Sequence, residues 1–124
     1  MKSFSNEAYY LFFSTLASRT RLAIIDVLSE GSKTVSEVSQ ALDHQGKVIL
    51  KDLERLEHSA LARSQGLGVK KRYSLNKEVV EPLSEIMEFH TSKYCPDMKV
   101  CIPPDKLKQF MTKEAKKKTF IKHQ

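Results

Sequence analysis

Cysteine is scarce. The chain has two, Cys95 and Cys101, too few for a disulfide framework to stand in for a hydrophobic core. Long apolar runs are missing: no stretch approaches the roughly 20 residues that cross a bilayer, so no membrane partner is expected. Met1 to Ser5 lacks the charged start, long apolar stretch and small-residue cleavage site of a signal peptide, and a cytoplasmic location is expected. Catalytic signatures are missing too. There is no Gly-rich phosphate loop, no His-Glu-x-x-His and no nucleophile elbow. Glu78, Glu81, Glu85 and Glu88 fall at helical spacing, the pattern of a solvated face rather than of a catalytic pair. An enzyme is not expected. A length of 124 residues leaves room for one core and a tail.

Positive charge is what the chain has in excess. The net charge is +6, and it is segregated. Residues 1–60 are nearly balanced at −1, and residues 76–105 carry −3. Residues 61–75 hold Arg63, Lys70, Lys71 and Arg72 with no acid. Residues 106–124 reach +6, with Glu114 as their one acid. Segregated cations point to an anionic partner, although a basic tail also serves solubility.

The hydrophobic period divides the chain. Asn6 opens a helix on which Tyr9, Phe12, Phe13 and Leu16 recur at spacings of three and four. Half of the aromatic residues lie between Phe4 and Phe13, and that face must bury itself in the core or against a second subunit. Ser18 is a cap for a second helix, Arg19 to Ser29, with Leu22, Ile25 and Leu28 inward and Gly31 at its end. Thr34-Val35-Ser36-Glu37 is a capping box. It starts a helix that runs to about Leu42, with Val38 and Leu42 inward. After the turn Asp43 to Gly46, Ile49, Leu53 and Leu56 mark another helix, ending near Ser59. Two short helices joined by a tight turn have the form of a helix-turn-helix. The period then changes to two. Leu61–Gln65 and Val69–Leu75 read as strands around Gly66-Leu67-Gly68, a hairpin in the position of a wing. Asn76 can cap a last long helix with Val79, Val80, Leu83, Ile86 and Met87 along one stripe to about Lys93 and Pro82 in its first two turns. Residues 94–124 read as a Cys- and Pro-containing connector and a basic helix or tail, with Leu107, Phe110 and Met111 on one face.

These pieces resemble the arsenic-repressor (ArsR/SmtB) family of winged helix-turn-helix transcription regulators. Leu16-Ala17-Ser18-Arg19-Thr20-Arg21-Leu22-Ala23-Ile24-Ile25 is similar to the family's L-A-D-P-T-R-L-x-I-L. Glu37 to Leu42 is similar to its E-L-A-x-x-L, and Leu53 to Ala62 to its L-x-x-L-x-x-x-G-L-V. Tyr73-Ser74-Leu75 matches its Y-x-L strand. The resemblance covers about residues 6–93. It implies a mainly α fold with a β-hairpin wing in residues 1–93 and a homodimer formed through the first and last long helices. It further implies sequence-specific binding of double-stranded DNA, as a repressor. The family's Cys-x-Cys pair is not matched, since Thr34-Val35-Ser36 stands there. Its Asp and His ligands on the last helix are not matched either, beyond His90. The cofactor is therefore left unknown.

The candidate residues follow. The start of the second helix of such a motif points at base edges in the major groove, which selects Gln45, Gly46, Lys47, Val48, Leu50 and Lys51. Gln45 can pair with adenine, and Lys47 or Lys51 can reach guanine or a phosphate. Val48 and Leu50 fall outside the inward set and can meet thymine methyls. Arg63, Lys70, Lys71 and Arg72 on the hairpin are candidates for phosphates, or for the minor groove at the tip. Alternation sends Lys71 and Arg72 to opposite faces. Tyr73 reads as core, and His44 and His58 as surface. Tyr9, Phe12, Phe13, Val79, Leu83, Ile86 and Met87 are the candidate dimer surface. Cys95 and Cys101 with His90 are open to three readings: buried thiols, a redox pair or a metal site. The rival function is a winged-helix protein-interaction module in a larger nucleic-acid-associated complex, docking through Val48 to Leu50.

Overall fold

A computed structural model describes residues 3–95; the expectations for Cys101 and for residues 96–124 lie outside them. The elements run α1 (Glu7–Leu16), α2 (Arg19–Leu28), β1 (Lys33–Thr34), α3 (Val35–Leu42), α4 (Gly46–His58), β2 (Ala62–Gln65), β3 (Arg72–Leu75) and α5 (Lys77–Tyr94). The chain divides into two compact units between Glu81 and Pro82, inside α5.

In the first unit the helix starts are set by short polar side chains, as the sequence predicts. Asn6 accepts from the Ala8 amide at 2.8 Å. Ser18 accepts from the Arg21 amide at 3.3 Å. Thr34 and Glu37 close the capping box reciprocally, at 3.2 and 3.0 Å, which satisfies opposed backbone donors at the start of α3. Asp43, in the left-handed region at φ 53°, ends α3 and turns the chain within Asp43–Gln45 into α4.

The core lies between α2, α3, α4 and a small antiparallel sheet ordered β1-β3-β2. Ile49, Leu53 and Leu56 on α4 are fully buried, with Ile24, Val38, Leu61 and Tyr73. Tyr73 is core, as expected, and its hydroxyl is buried without a hydrogen-bond partner among the described residues.

Three expectations are corrected. On α2, Ile24 is buried and Leu22 is 47% exposed. The inward stripe is Arg21, Ile24, Ile25 and Leu28, because Arg21 turns into the structure. Arg21 Nε donates to the Thr15 carbonyl at 2.6 Å and Nη2 to the Ser14 carbonyl at 3.3 Å. Nη1 pairs with Asp52 of α4 at 3.0 Å. On α1, Phe13 does not share the half-buried face of Tyr9, Phe12 and Leu16; it is 55% exposed. In the hairpin, Gln65 pairs with Arg72. The link therefore runs from Gly66 to Lys71 and contains a 3-10 turn at Gly68–Lys70, where a strand was expected from Val69. Lys71 lies just before β3 in extended backbone, and its ammonium sits over the Tyr73 ring two residues on while Arg72 turns to Ser32 and Glu37, so these two cations do face opposite ways as expected. β1, which pairs Lys33 with Tyr73 and Thr34 with Arg72, has no counterpart in the periodicity.

The C-terminus of α4 contains a locally unfavourable residue. Leu61 donates its amide to the Leu56 carbonyl and Ala60 to that of Glu57, at 2.9 and 3.0 Å. This is the paired closure that usually carries glycine at its left-handed position. Here Ala60 holds φ 62°.

Two stability predictions follow from these contacts. Ala60→Gly should raise unfolding free energy by about 1 kcal/mol, since a Cβ is disfavoured in the left-handed region. Arg21→Ala should lower it by about 2–4 kcal/mol, because Asp52 and the two carbonyls lose a shared charged donor. Denaturant titration of each variant measures both.

Candidate nucleic-acid interface

α4 is amphipathic in the strict sense. Its inner stripe is closed off by the core, while Gln45, Gly46, Lys47, Val48, Leu50 and Lys51 are all exposed. Lys47 and Lys51 are one turn apart and share the middle of the free face. Neither is ion-paired among the described residues. Val48 and Leu50, 44% and 40% exposed, are about 200° apart around the helix axis and flank the lysines on opposite sides. Gln45 occupies the N-cap position, yet its side chain makes no capping hydrogen bond. Of the nearby acids, Asp52 is turned inward onto Arg21, and Glu54 is exposed beyond Lys51. His44 and His58 are exposed, as predicted.

The hairpin cations separate into two kinds. Arg72 is committed to the fold. Its Nη2 donates to the Ser32 carbonyl at 2.7 Å, its Nε to the Ser32 hydroxyl at 3.1 Å, and its Nη1 pairs with Glu37 at 3.1 Å. It braces β3 against the start of α3. Arg63 lies 3.7 Å from Glu78, with both side chains mostly in water, a pair worth little. Lys71 sits over the Tyr73 ring at 5.4 Å. Lys70 is exposed at the end of the 3-10 turn.

The Glu37 carboxyl titrates below its ordinary range. The Thr34 backbone amide holds its carboxyl below the ordinary value of 4.5, helped by the Thr34 hydroxyl and by the Arg72 and Lys33 charges, against a smaller opposing effect of desolvation.

The second unit carries part of the candidate dimer surface. Ile86 and Met87 are 65% and 53% exposed, Leu83 is half-buried, and Phe89 carries the Lys93 ammonium 5.5 Å over its ring. Val79, in the first unit, is half-buried. Cys95 Sγ lies 3.9 Å from His90 Nδ1. The structure thus brings together two of the three candidate soft ligands. Among the described residues there is no group of three or more that could hold a metal ion, and no helix is long and apolar enough to cross a membrane.

No family model and no curated protein matches the sequence. Solved structures do. The homodimeric winged helix-turn-helix DNA-binding domain of Mb0332 from Mycobacterium bovis, described as a possible ArsR-family transcriptional regulator, superposes with a TM-score of 0.62. It is 20% identical, over 77% of this chain and 94% of that one. The ArsR family transcriptional regulator RHA00566 gives 0.56 at 26% identity, over 71% and 97% of the two chains. Rv0081 of M. tuberculosis gives 0.60 at 22%, over 71% and 93%. The fold is a winged helix-turn-helix. In it α3 and α4 are the paired helices, α4 is the second of the pair, and β2–β3 is the wing. RHA00566 is described as an ArsR family regulator and Mb0332 as a possible one, and the expected fold class stands.

Two features of the wing are absent from the sequence expectations. One is the Arg72–Glu37 brace, for which the signal was an acid in a capping box facing a cation on the next strand. The other is the wing tip, where Leu67 and Val69 are 89% and 94% exposed. Gly66-Leu67-Gly68 reads in the sequence as the link of a tight hairpin, and the structure extends that link through Val69 and Lys70 to Lys71.

Because Glu37 titrates lower folded than unfolded, it contributes stability above its unfolded value that is lost as pH falls through its folded one. Glu37→Gln should therefore be less stable than the parent chain at neutral pH. The gap should close as pH drops below 4.5, measured as unfolding midpoints across an acid pH series.

Proposed function

We propose that the chain is a sequence-specific regulator of transcription that binds double-stranded DNA as a homodimer and represses by occupying its site. The observation that carries this reading is the free face of α4: Gln45, whose amide makes no capping bond, then Lys47 and Lys51 in the middle of the exposed stripe with no ion pair among the described residues. A helix of this width fits the major groove, where Gln can pair with adenine and Lys can reach guanine or a phosphate. Val48 and Leu50, on either flank, suit thymine methyls. Lys70 and Arg63 supply backbone contacts from the wing, while Arg72 acts on the fold itself.

The homodimer is supported by apolar area left uncovered. Phe13 on α1 and Ile86 and Met87 on α5 are more than half exposed, which suits burial against a second copy. The Mb0332 domain is described as homodimeric. Two-fold symmetry would set the two reading helices about one DNA turn apart, ~34 Å, on a pseudo-palindrome. The rival docking surface from Val48 to Leu50 is less well supported, because those side chains flank the lysines instead of forming one patch.

The two lysines test the reading. Lys47→Ala should relax base preference at one position, with a loss of about 1–3 kcal/mol of discrimination. Lys70→Ala should weaken all duplexes alike and reduce the slope of log affinity against log salt by about 0.9. Fluorescence anisotropy across a salt series, on specific and scrambled duplexes, distinguishes the two. Equal effects of both substitutions on both duplexes would count against a reading helix.

A further inference from the structure

Two non-aromatic polar side chains are buried among the described residues, Thr15 at 1% exposed and Asn76 at 7%. Thr15 is in the last turn of α1, and Asn76 immediately precedes α5. Both reach the same place, the far end of α4. The Thr15 hydroxyl meets the Leu11 carbonyl at 2.9 Å, the Ser59 hydroxyl at 3.0 Å and Arg55 Nε at 3.2 Å. A hydroxyl has one proton to give and two acceptor sites. With its proton on the Leu11 carbonyl, Thr15 accepts from Ser59 and from Arg55, and its bonding capacity is full. Asn76 donates from Nδ2 to the Ala60 carbonyl at 2.9 Å, and its backbone amide donates to the Leu61 carbonyl at 3.0 Å. The Asn76 carbonyl accepts from the Val79 and Val80 amides at 3.1 and 2.9 Å and so starts α5.

The end of α4 and the turn after it are therefore gripped from two helices, and these are the two that carry the candidate dimer surface. Tyr9, Phe12 and Phe13 stand on α1, and Val79 stands in the first turn of α5, within the same compact unit. Burial does not account for the choice of polar residues. An apolar group of the same shape serves a core about as well as a fully bonded polar one. Bonded polar groups add a single arrangement, where apolar surfaces can slide.

We propose that Thr15 and Asn76 are positioning residues that fix the spacing of the two half-sites read by the homodimer. The inference rests on the duplex-binding, homodimeric reading above. Both side chains are buried, so neither meets the duplex itself. Thr15 acts through Arg55 and Ser59, and Asn76 acts through Ala60. The requirement is geometric. One added base pair moves a half-site about 3.4 Å along the duplex and turns it by about a tenth of a turn. A reading helix that follows the dimer helices rigidly meets the second half-site at one spacing. Released at its far end, it can tilt to meet others.

The probe is a duplex that the full chain selects from a randomised pool. It is rebuilt with its half-sites moved together or apart by one base pair, and again with one half-site alone. Affinities are read by fluorescence anisotropy. The parent chain should bind the shifted duplexes about tenfold more weakly than the selected one, because simultaneous engagement is lost. Thr15→Val and Asn76→Leu keep the side-chain shape and remove its bonds. Each should narrow that ratio, and the double variant should erase it, with affinity for one half-site unchanged. Thr15→Ser keeps the hydroxyl and should keep the parent's ratio. A purely structural role would weaken binding to all the duplexes alike. That result overturns the inference, as do variants that keep the parent's ratio or a parent indifferent to spacing. Should the double variant fail to fold, the single variants and Thr15→Ser decide. A chain that binds one half-site as a monomer overturns the homodimer reading, and one that recovers no duplex overturns duplex binding; this inference falls with either.

Discussion

The guanidinium of Arg21 ties its own helix, α2, to two others. Two of its nitrogens donate to the Ser14 and Thr15 carbonyls at the end of α1, and a third pairs with Asp52 in the middle of α4. The α1 carbonyls would otherwise lack intrahelical partners. Asp52 would otherwise add an acid to a helix whose exposed stripe is cationic. Thr15 extends the same junction, bonding the Ser59 hydroxyl at 3.0 Å and accepting from Arg55 Nε at 3.2 Å. The pitch of α4 is therefore fixed against α1 and α2 by polar contacts, and against the core by Ile49, Leu53 and Leu56. A helix that must present a few side chains to base edges needs this kind of support, because errors in its angle move every reading atom together.

The same division of labour runs through the charges of the first unit. Arginine is used where several donors in a fixed fork are needed: Arg21 at the helix junction and Arg72 at the base of the wing. The lysines Lys47, Lys51 and Lys70 are left on the surface as mobile point charges, suited to phosphate contacts that tolerate variation. The exposed aliphatic and aromatic side chains also fall into separate groups. Some sit on α1 and α5, others flank the reading stripe, and Leu67 and Val69 cap the wing.

Much of this was readable from the sequence. Short polar caps at Asn6, Ser18 and Thr34 name the helix starts, because each satisfies specific backbone donors. The spacing of Ile49, Leu53 and Leu56 names the buried stripe of α4 and hence its free face. Harder to read were features in which a polar residue takes a core position or a strand is too short to show a period. Arg21 lies in the inward stripe of α2, so a count of apolar residues alone rotated the helix toward Leu22. The two residues of β1 end on Thr34, the first residue of a capping box, and are too few to show a period. In the wing, two glycines in a short link are legible as positive-φ positions, and both hold positive φ; the 3-10 turn that carries the link on to Lys71 has no period to read. Arg72 was assigned to the interface from its charge; its role as a brace depends on Ser32 and Glu37, distant in sequence and close through the sheet.

The most direct test of the central claim is a residue-by-residue map of duplex contact in solution. Amide chemical shifts of the isotope-labelled full chain, followed during titration with a duplex it selects, supply that map. The account predicts that the largest changes cluster at Gln45–Lys51 and Gly66–Lys71, with the buried stripe of α4 moving little. A bound duplex that leaves the first half of α4 unperturbed would contradict it.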